Sequence, residues 1–136
     1  MRYAISYVSS AVNDLDDGQV NRILQQTNTH NNNNDITGLL VYSEGNFFQL
    51  IEGEKEAVRQ LYYNKIEKDP RHKNIIKFLE KEIHEPSYDG YHVDMVTSRF
   101  DIDQSKMQTY IDYVKVLQPE VRQPVLNILK SFLPKI

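Results

Sequence analysis

Hydrophobic residues recur along this chain at two spacings, and the order in which those spacings alternate restricts the fold more than any other feature. A period of two sends side chains to opposite faces of a strand, and a period near 3.6 gathers them on one stripe of a helix. Arg2 to Ser9 alternates, with Tyr3, Ile5 and Tyr7 on one face and Ala4, Ser6 and Val8 on the other, which predicts a strand. Asp16 or Asp17 then offers an N-cap ahead of Val20, Ile23, Leu24 and Thr27 at helical spacing. The run from Asn31 to Asp35 breaks that helix, because asparagine bonds its own backbone and tolerates turn geometry. Two strands are predicted next, Ile36 to Ser43 and Asn46 to Glu52, joined by a tight turn at Glu44 and Gly45. Gly53 and Glu54 are expected to open a second helix running to Asp69, with Val58, Leu61, Tyr62, Lys65 and Ile66 on or beside its inner stripe and Pro70 closing it. Asn74 to Glu85 and Tyr91 to Ser98 read as further strands on either side of a turn at Pro86 to Gly90. Beyond Asp101, Met107, Ile111, Val114 and Leu117, and then Val125, Ile128, Leu129 and Phe132, mark two helices separated by Pro119.

The predicted order is therefore βαββαββ followed by two helices, an α+β, ferredoxin-like sheet with the first two helices on one face. The C-terminal helices are expected to cover the other face or to form an oligomer interface, since a bare apolar sheet face is unusual in a monomer. With 136 residues, 40% of them apolar, the chain has material for one compact core. A net charge of -3 supplies no basic footprint, so no nucleic-acid partner is expected. Cysteine is absent, which removes disulfides, thiolate catalysis and cysteine-ligated metal. No apolar run approaches the roughly 18 residues of a membrane span, and no signal-like start is present, so the expected location is cytoplasmic.

Gln49 is the residue that needs explaining. In an extended Asn46 to Glu52 it shares a face with Phe47 and Ile51, where an unpartnered amide costs roughly 1–3 kcal/mol. Tyr7 belongs to the corresponding face of the first strand, and Asn31 ends the first helix. A phenol and two primary amides so placed can surround a flat heterocycle lodged between the two helices, because each amide offers both a donor and an acceptor to a ring edge. Singly, each has a plainer reading: a buried tyrosine bonds a carbonyl, a strand glutamine faces water, and an asparagine run makes a turn.

Four segments in one order add to this: "ISYVSSA" from Ile5, "HNNNNDITGLLVY" from His30, "GNFFQLIEGE" from Gly45 and "KIEKDPRH" from Lys65. Together they resemble the BLUF domains, blue-light sensors that bind FAD, over roughly residues 2–98. The resemblance implies a flavin-binding domain over residues 1–98 and a helical cap or output segment over 99–136. It implies FAD as cofactor, with FMN possible, and photochemistry rather than enzymatic turnover. Tyr7 is then the tyrosine that gives an electron to the excited flavin, and Gln49 the glutamine whose hydrogen bonds are rearranged when the proton follows. Asn31 corresponds to the asparagine on the C4 carbonyl and N3 edge, and His30 to a place where some members also carry histidine. Ile23 and Thr27 correspond to ring-lining residues of the first helix and Ile66 to one of the second. Lys65, Asp69, Arg71 and His72 correspond to positions near the ribityl and phosphate end, although Arg71 and His72 equally suit a solvated helix C-terminus.

Two departures from the family pattern carry expectations. Tyr91 and Val93 stand where the family usually has tryptophan and methionine, with Met95 further along the same face, so the resemblance leaves open whether Tyr91 takes the place of the tryptophan, competes as an electron donor or simply packs the sheet with Val93. Helix two holds one residue more than the family pattern, which predicts a π-type bulge near Tyr63. The expected partner is a separate effector protein, with a homo-oligomer formed through the C-terminal helices. A non-photoactive ligand-binding or assembly module on the same fold is the alternative. An acylphosphatase-type hydrolase needs an arginine in a phosphate-cradling loop after strand one, and "SSAVNDLDDG" has none.

Overall fold

The computed structural model describes residues 2–12, 15–43, 45–84, 91–96 and 122–123. Its elements are β1 (Arg2–Ala11), α1 (Asp17–Asn33), β2 (Thr37–Ser43), β3 (Asn46–Glu54), α2 (Lys55–Gln60), a π-helical segment (Leu61–Ile66), β4 (His72–Ile83) and β5 (Tyr91–Val96). They form one sheet in the order β4-β1-β3-β2-β5. β1 pairs antiparallel with β3 and β4, β2 pairs antiparallel with β3, and β5 joins β2 in parallel. Each of β1–α1–β2 and β3–α2–β4 returns the chain parallel to its start with one strand left between. Right-handed crossovers of that kind put both helices on the same face of the sheet. The ferredoxin-like α+β fold expected from the periodicity is the one observed. Apart from Arg122 and Gln123, which are helical, the expected C-terminal helices and the Pro86 to Gly90 turn lie outside the described residues.

Local chemistry accounts for the element ends. Asp16 caps α1 through Asp16 Oδ1, which accepts from the Gln19 N–H at 2.8 Å, while Gln19 Oε1 accepts from the Asp16 N–H at 2.9 Å. This reciprocal capping box settles the choice between Asp16 and Asp17, which is the first helical residue. At the other end the N–H groups of Asn34 and Ile36 both donate to the Asn31 carbonyl, at 3.1 and 3.0 Å. Asp35 makes the turn at φ 56°.

The second helix differs from expectation at both ends. Gly53 and Glu54 finish β3 instead of opening the helix, because they continue the ladder to β1, with Tyr3 opposite Gly53 and Arg2 opposite Glu54. Glu54 still acts as N-cap, accepting from the Ala57 N–H at 3.1 Å. The helix stops at Ile66 rather than Asp69, and its last turn is π-helical over Leu61–Ile66, where a bulge near Tyr63 was expected. The Glu67 N–H reaches back five residues to the Tyr62 carbonyl at 2.8 Å. Val58 and Tyr62, four residues apart on one face, are both buried against the sheet. They join Tyr3, Ile5 and Tyr7 of β1, Val20 and Leu24 of α1, and Phe47 and Ile51 of β3 in one core. On the opposite face Ala4, Leu39, Val41, Phe48 and Leu50 are buried as well.

Candidate functional site

Tyr7 and Gln49 are directly opposed in the β1–β3 ladder, so their side chains leave the sheet side by side on the helix-facing side. The register of β1 on β4 slips between Ser6 and Tyr7 and again between Val8 and Ser10, which brackets Tyr7 with irregularities of the kind that re-aim a side chain. The Tyr7 hydroxyl donates to Gln49 Oε1, and Gln49 Nε2 in turn donates to the Tyr91 hydroxyl. Gln49 is 2% exposed, and both ends of its amide are occupied by phenols. That pairing removes the burial penalty an isolated amide would suffer there.

Tyr91 arrives from β5, two strands from Gln49. The neighbouring residue of β2 in that row is Gly38, so no side chain stands between the Tyr91 ring and β3. Gly38 adopts φ +138°, and a Cβ on it would fall 1.9 Å from the Leu50 carbonyl oxygen, which leaves glycine alone at this position. Burial, with the nearby Tyr91, Tyr62 and Asp69, raises the Tyr7 phenol well above its ordinary range. Tyr91 is raised too, by burial, with the Gln49 and neighbouring Asn31 amides partly offsetting it. Both phenols are therefore protonated at neutral pH.

In front of this chain of bonds lies a cavity of about 230 Å³ between α1 and the π-helical segment. Tyr7, Gln49, Leu40 and Phe47 form its floor on the sheet, and Ile23, Thr27 and Gln26 its α1 wall. Leu61 and Ile66 form the opposite wall, with Lys65 exposed beside them. The wider π turn presents Leu61, Lys65 and Ile66 to one space while Tyr62 stays in the core. Asn31 and His30 line one end and Asp69, Arg71 and His72 the other.

The polar groups around the cavity differ in what they have left to offer. Asn31 is 1% exposed. Its Oδ1 meets His30 Nδ1 at 3.1 Å, whereas its Nδ2 is buried without a hydrogen-bond partner. His72 is held by the Ile66 carbonyl at 2.6 Å from Nε2 and by Ser9 Oγ at 2.7 Å from Nδ1. Donation from Nε2 to that carbonyl leaves Nδ1 to accept from the Ser9 hydroxyl. Its ring meets those of Tyr7 and Phe47 edge-on at 6.0 and 6.3 Å. Arg71 pairs with Asp69 at 2.7 Å and donates to Gln26 Oε1 at 3.2 Å, spanning the cavity mouth. Burial works to raise the Asp69 carboxyl, but the bonds from the Arg71 side chain and N–H outweigh it and hold the group below the usual carboxylate range.

The residues singled out from the sequence, Tyr7, Ile23, Thr27, His30, Asn31, Gln49, Lys65, Ile66, Asp69, Arg71 and His72, all border this one cavity. Gln26, Leu40, Phe47 and Leu61 border it as well and carried no distinguishing signal, being ordinary members of their periodic rows. The bond from Gln49 to Tyr91 was also missed, because nothing local in the sequence connects residues 42 apart. Val93 is half-buried against the core, and the side chain of Met95 lies outside what is described. Among the described residues no group of three acidic or histidine side chains could hold a metal, and no helix is long and apolar enough to cross a membrane.

Residues 3–94 match the family model described as BLUF, sensors of blue-light using FAD. The blue light- and temperature-regulated antirepressor BluF of Escherichia coli K12 is 38% identical over 61 residues, 45% of this chain and 15% of that protein. The photoactivated adenylate cyclase subunit beta of Euglena longa is 33% identical over 84 residues, 62% of this chain and 10% of that one. This chain thus spans a small part of the length of either relative. In three dimensions it resembles Klebsiella pneumoniae BlrP1, solved with FMN and cyclic diGMP, at a TM-score of 0.75 and 19% identity over 99% of this chain and 35% of that one.

Proposed function

Since this chain belongs to the BLUF family, the sensors of blue light using FAD, we propose that it is itself a blue-light photoreceptor. It binds a flavin in the cavity between α1 and the π-helical segment and signals by rearranging the hydrogen bonds of Gln49. The observation that carries this reading is the buried bond from Tyr7 to Gln49 in the cavity wall.

The cavity suits the ring of such a cofactor. Its walls are largely apolar, and Asn31 Nδ2 is a buried donor that lacks an acceptor. A ring-edge carbonyl is the complementary group. At about 230 Å³ the space falls below the roughly 300–1,000 Å³ of sites that enclose whole drug-sized ligands, so it suits a flat ring better than a complete dinucleotide. Lys65 and Arg71 at the rim suit phosphate in FAD or in FMN, and FAD is the proposed cofactor.

When bound, the flavin supplies absorption of blue light and an acceptor for one electron. Tyr7 is the residue that gives the electron up. Burial keeps its phenol protonated in the dark. An oxidised phenol is a strong acid, so its proton moves to the oxygen it already touches, Gln49 Oε1. Return of the electron to Tyr7 together with the proton held on Oε1 would restore the phenol and leave the Gln49 amide rotated; if Oε1 kept that proton, the one returned to Tyr7 would have to come from Nε2, and the amide would be left tautomerised. No substrate is consumed, and the product is a changed hydrogen-bond pattern in a site of low dielectric constant, where such a change carries more energy than in water. The output is contact with a separate effector protein, with the C-terminal segment as the surface for self-association.

Purified protein is expected to be yellow, to release FAD on denaturation, and to shift its absorption to the red under blue light. Tyr7→Phe should keep the flavin and lose the shift. A chain that stays colourless after incubation with FAD and with FMN, or a Tyr7→Phe protein with the full shift, overturns the reading.

A further inference from the structure

The sequence holds nine tyrosines and neither tryptophan nor cysteine, so phenols are the side chains of this chain that most readily give up one electron. Three of them stand in a row. Tyr7, in the cavity floor, meets Tyr62 edge-on at 5.7 Å between ring centres, and Tyr62 meets Tyr63 at 4.9 Å, both within the range of packed aromatic pairs. Tyr62 is 2% exposed, whereas Tyr63 is half-buried and reaches the surface. There its hydroxyl donates to Glu80 Oε1 at 2.5 Å. Lys77 Nζ donates both to that hydroxyl and to Glu80 Oε1, at 2.5 Å each. Burial opposes ionisation of Glu80, but the bonds from Lys77, Tyr63 and Tyr3 hold its carboxyl at about 2, so it is a carboxylate at neutral pH.

An oxidised phenol sheds its proton, and the two ends of the row offer it different bases. Tyr7 faces the amide oxygen of Gln49, and Tyr63 faces a carboxylate. The carboxylate is the stronger base, so an electron vacancy made at Tyr7 falls in energy by moving to Tyr63. Arg59 and Lys77 stand over the Tyr63 ring, 5.3 and 4.9 Å from its centre, and oppose positive charge on it, so electron and proton leave that residue together. Tyr91 differs, because its hydroxyl faces a donor, Gln49 Nε2, rather than a base.

We propose that Tyr62 and Tyr63 form a one-electron path from Tyr7 to the protein surface, with Glu80 as the base at its outer end, through which a small enediol reductant of the ascorbate class refills Tyr7. This rests on the reading of Tyr7 as the photochemical electron donor, and the two are tested apart. Once Tyr7 has given its electron to the flavin and its proton to Gln49 Oε1, one electron crosses from Tyr63 to Tyr7 through the Tyr62 ring. The proton on Oε1 returns to the Tyr7 oxygen, the Tyr63 O–H bond breaks, and that proton passes to Glu80 Oε1. The enediol then gives one electron to Tyr63 and one proton to water, and the proton on Glu80 goes back to the phenol. The net change is one electron moved from the enediol to the flavin, with every tyrosine restored.

In the flavin-free chain, oxidation by photogenerated tris(bipyridine)ruthenium(III), read by peptide mapping, should modify Tyr63 faster than the likewise half-buried Tyr42 and should slow in heavy water. Glu80→Gln should slow the oxidation of Tyr63 by roughly tenfold, the rate equivalent of a lost charge-assisted bond. Equal modification of Tyr63 and Tyr42, or a Glu80→Gln chain oxidised at Tyr63 as fast as wild type, overturns the proposal whatever the photochemistry does. In the flavin-loaded chain, under continuous blue light without oxygen, ascorbate should bleach the flavin absorption and yield one-electron-oxidised ascorbate, counted by electron paramagnetic resonance. Tyr63→Phe should keep the red shift, since Tyr63 does not line the cavity, and should lose the ascorbate-dependent bleaching. Should that variant fold poorly, Glu80→Gln should slow the bleaching by the same factor. Bleaching as fast as in wild type overturns the path. A wild type with no light-induced shift overturns the photoreceptor reading, while the ruthenium oxidation still decides whether Tyr63 gives its proton to Glu80.

Discussion

Replacing Gln49 by leucine tests whether its burial depends on its two phenolic partners. The change deletes both bonds at once and strands two hydroxyls, Tyr7 at 4% and Tyr91 at 3% exposure. Each unpaired buried hydroxyl costs roughly 1–3 kcal/mol. Tyr7 borders the cavity, where water can take the place of the amide, whereas Tyr91 does not, so the larger share falls on Tyr91. Leucine recovers part of the loss through its apolar surface, leaving a net destabilisation of about 2–4 kcal/mol. Against a typical domain stability of about 5–15 kcal/mol that is readily measured. The diagnostic step is the second substitution. In the native background Tyr91→Phe removes the acceptor of a buried N–H and should destabilise by about 1–3 kcal/mol. In the Gln49→Leu background it removes the stranded hydroxyl itself and should stabilise by about 1–2 kcal/mol. Urea unfolding of the flavin-free proteins, followed by far-ultraviolet circular dichroism, reads both signs. A Gln49→Leu/Tyr91→Phe protein no more stable than Gln49→Leu would refute the reasoning, since the hydroxyl of Tyr91 would then not depend on the amide.

Other consequences follow from single residues. Glu80 accepts from Tyr63 and Lys77 at 2.5 Å each, and from Tyr3 and Arg59 at 2.9 Å each. Burial opposes its ionisation, but the bonds from Lys77, Tyr63 and Tyr3 hold its carboxyl down at about 2, against an ordinary 4.5. A depressed folded value means the stabilisation is complete above pH 4.5 and drains away as pH falls towards 2. Acid unfolding should therefore flatten in Glu80→Gln by about 1–3 kcal/mol over that range, solvent screening included. Gly38→Ala puts a Cβ against the Leu50 carbonyl at φ +138° and should cost at least about 3 kcal/mol, read as lost soluble yield or a lowered urea midpoint. Leu24→Ala empties a position 2% exposed under α1 and should lower stability by about 2–5 kcal/mol in the same assay.

Alternation along the chain was enough to place Tyr7, Phe47, Gln49 and Ile51 on one face, and helical spacing enough to put Val20 and Leu24 beneath α1, because those patterns are set by residues within a turn or a pleat of one another. The π turn expected near Tyr63 is present over Leu61–Ile66, with Val58 and Tyr62 both in the core. Long-range pairing overrode the local pattern elsewhere. The stripe that suggested a helix as far as Asp69 gave way at Ile66, and β4 begins at His72 because it pairs there with Ala11, at the far end of β1. The partner of Gln49 was beyond any local reading. Tyr91 reaches it only because the sheet sets β5 beside β2 and Gly38 leaves the way clear. Sequence by itself determined which groups face the layer between sheet and helices, since the periods of strand and helix are properties of the backbone. Tertiary structure alone decided which buried hydroxyl meets which end of the amide, since that depends on the order in which distant strands are laid side by side.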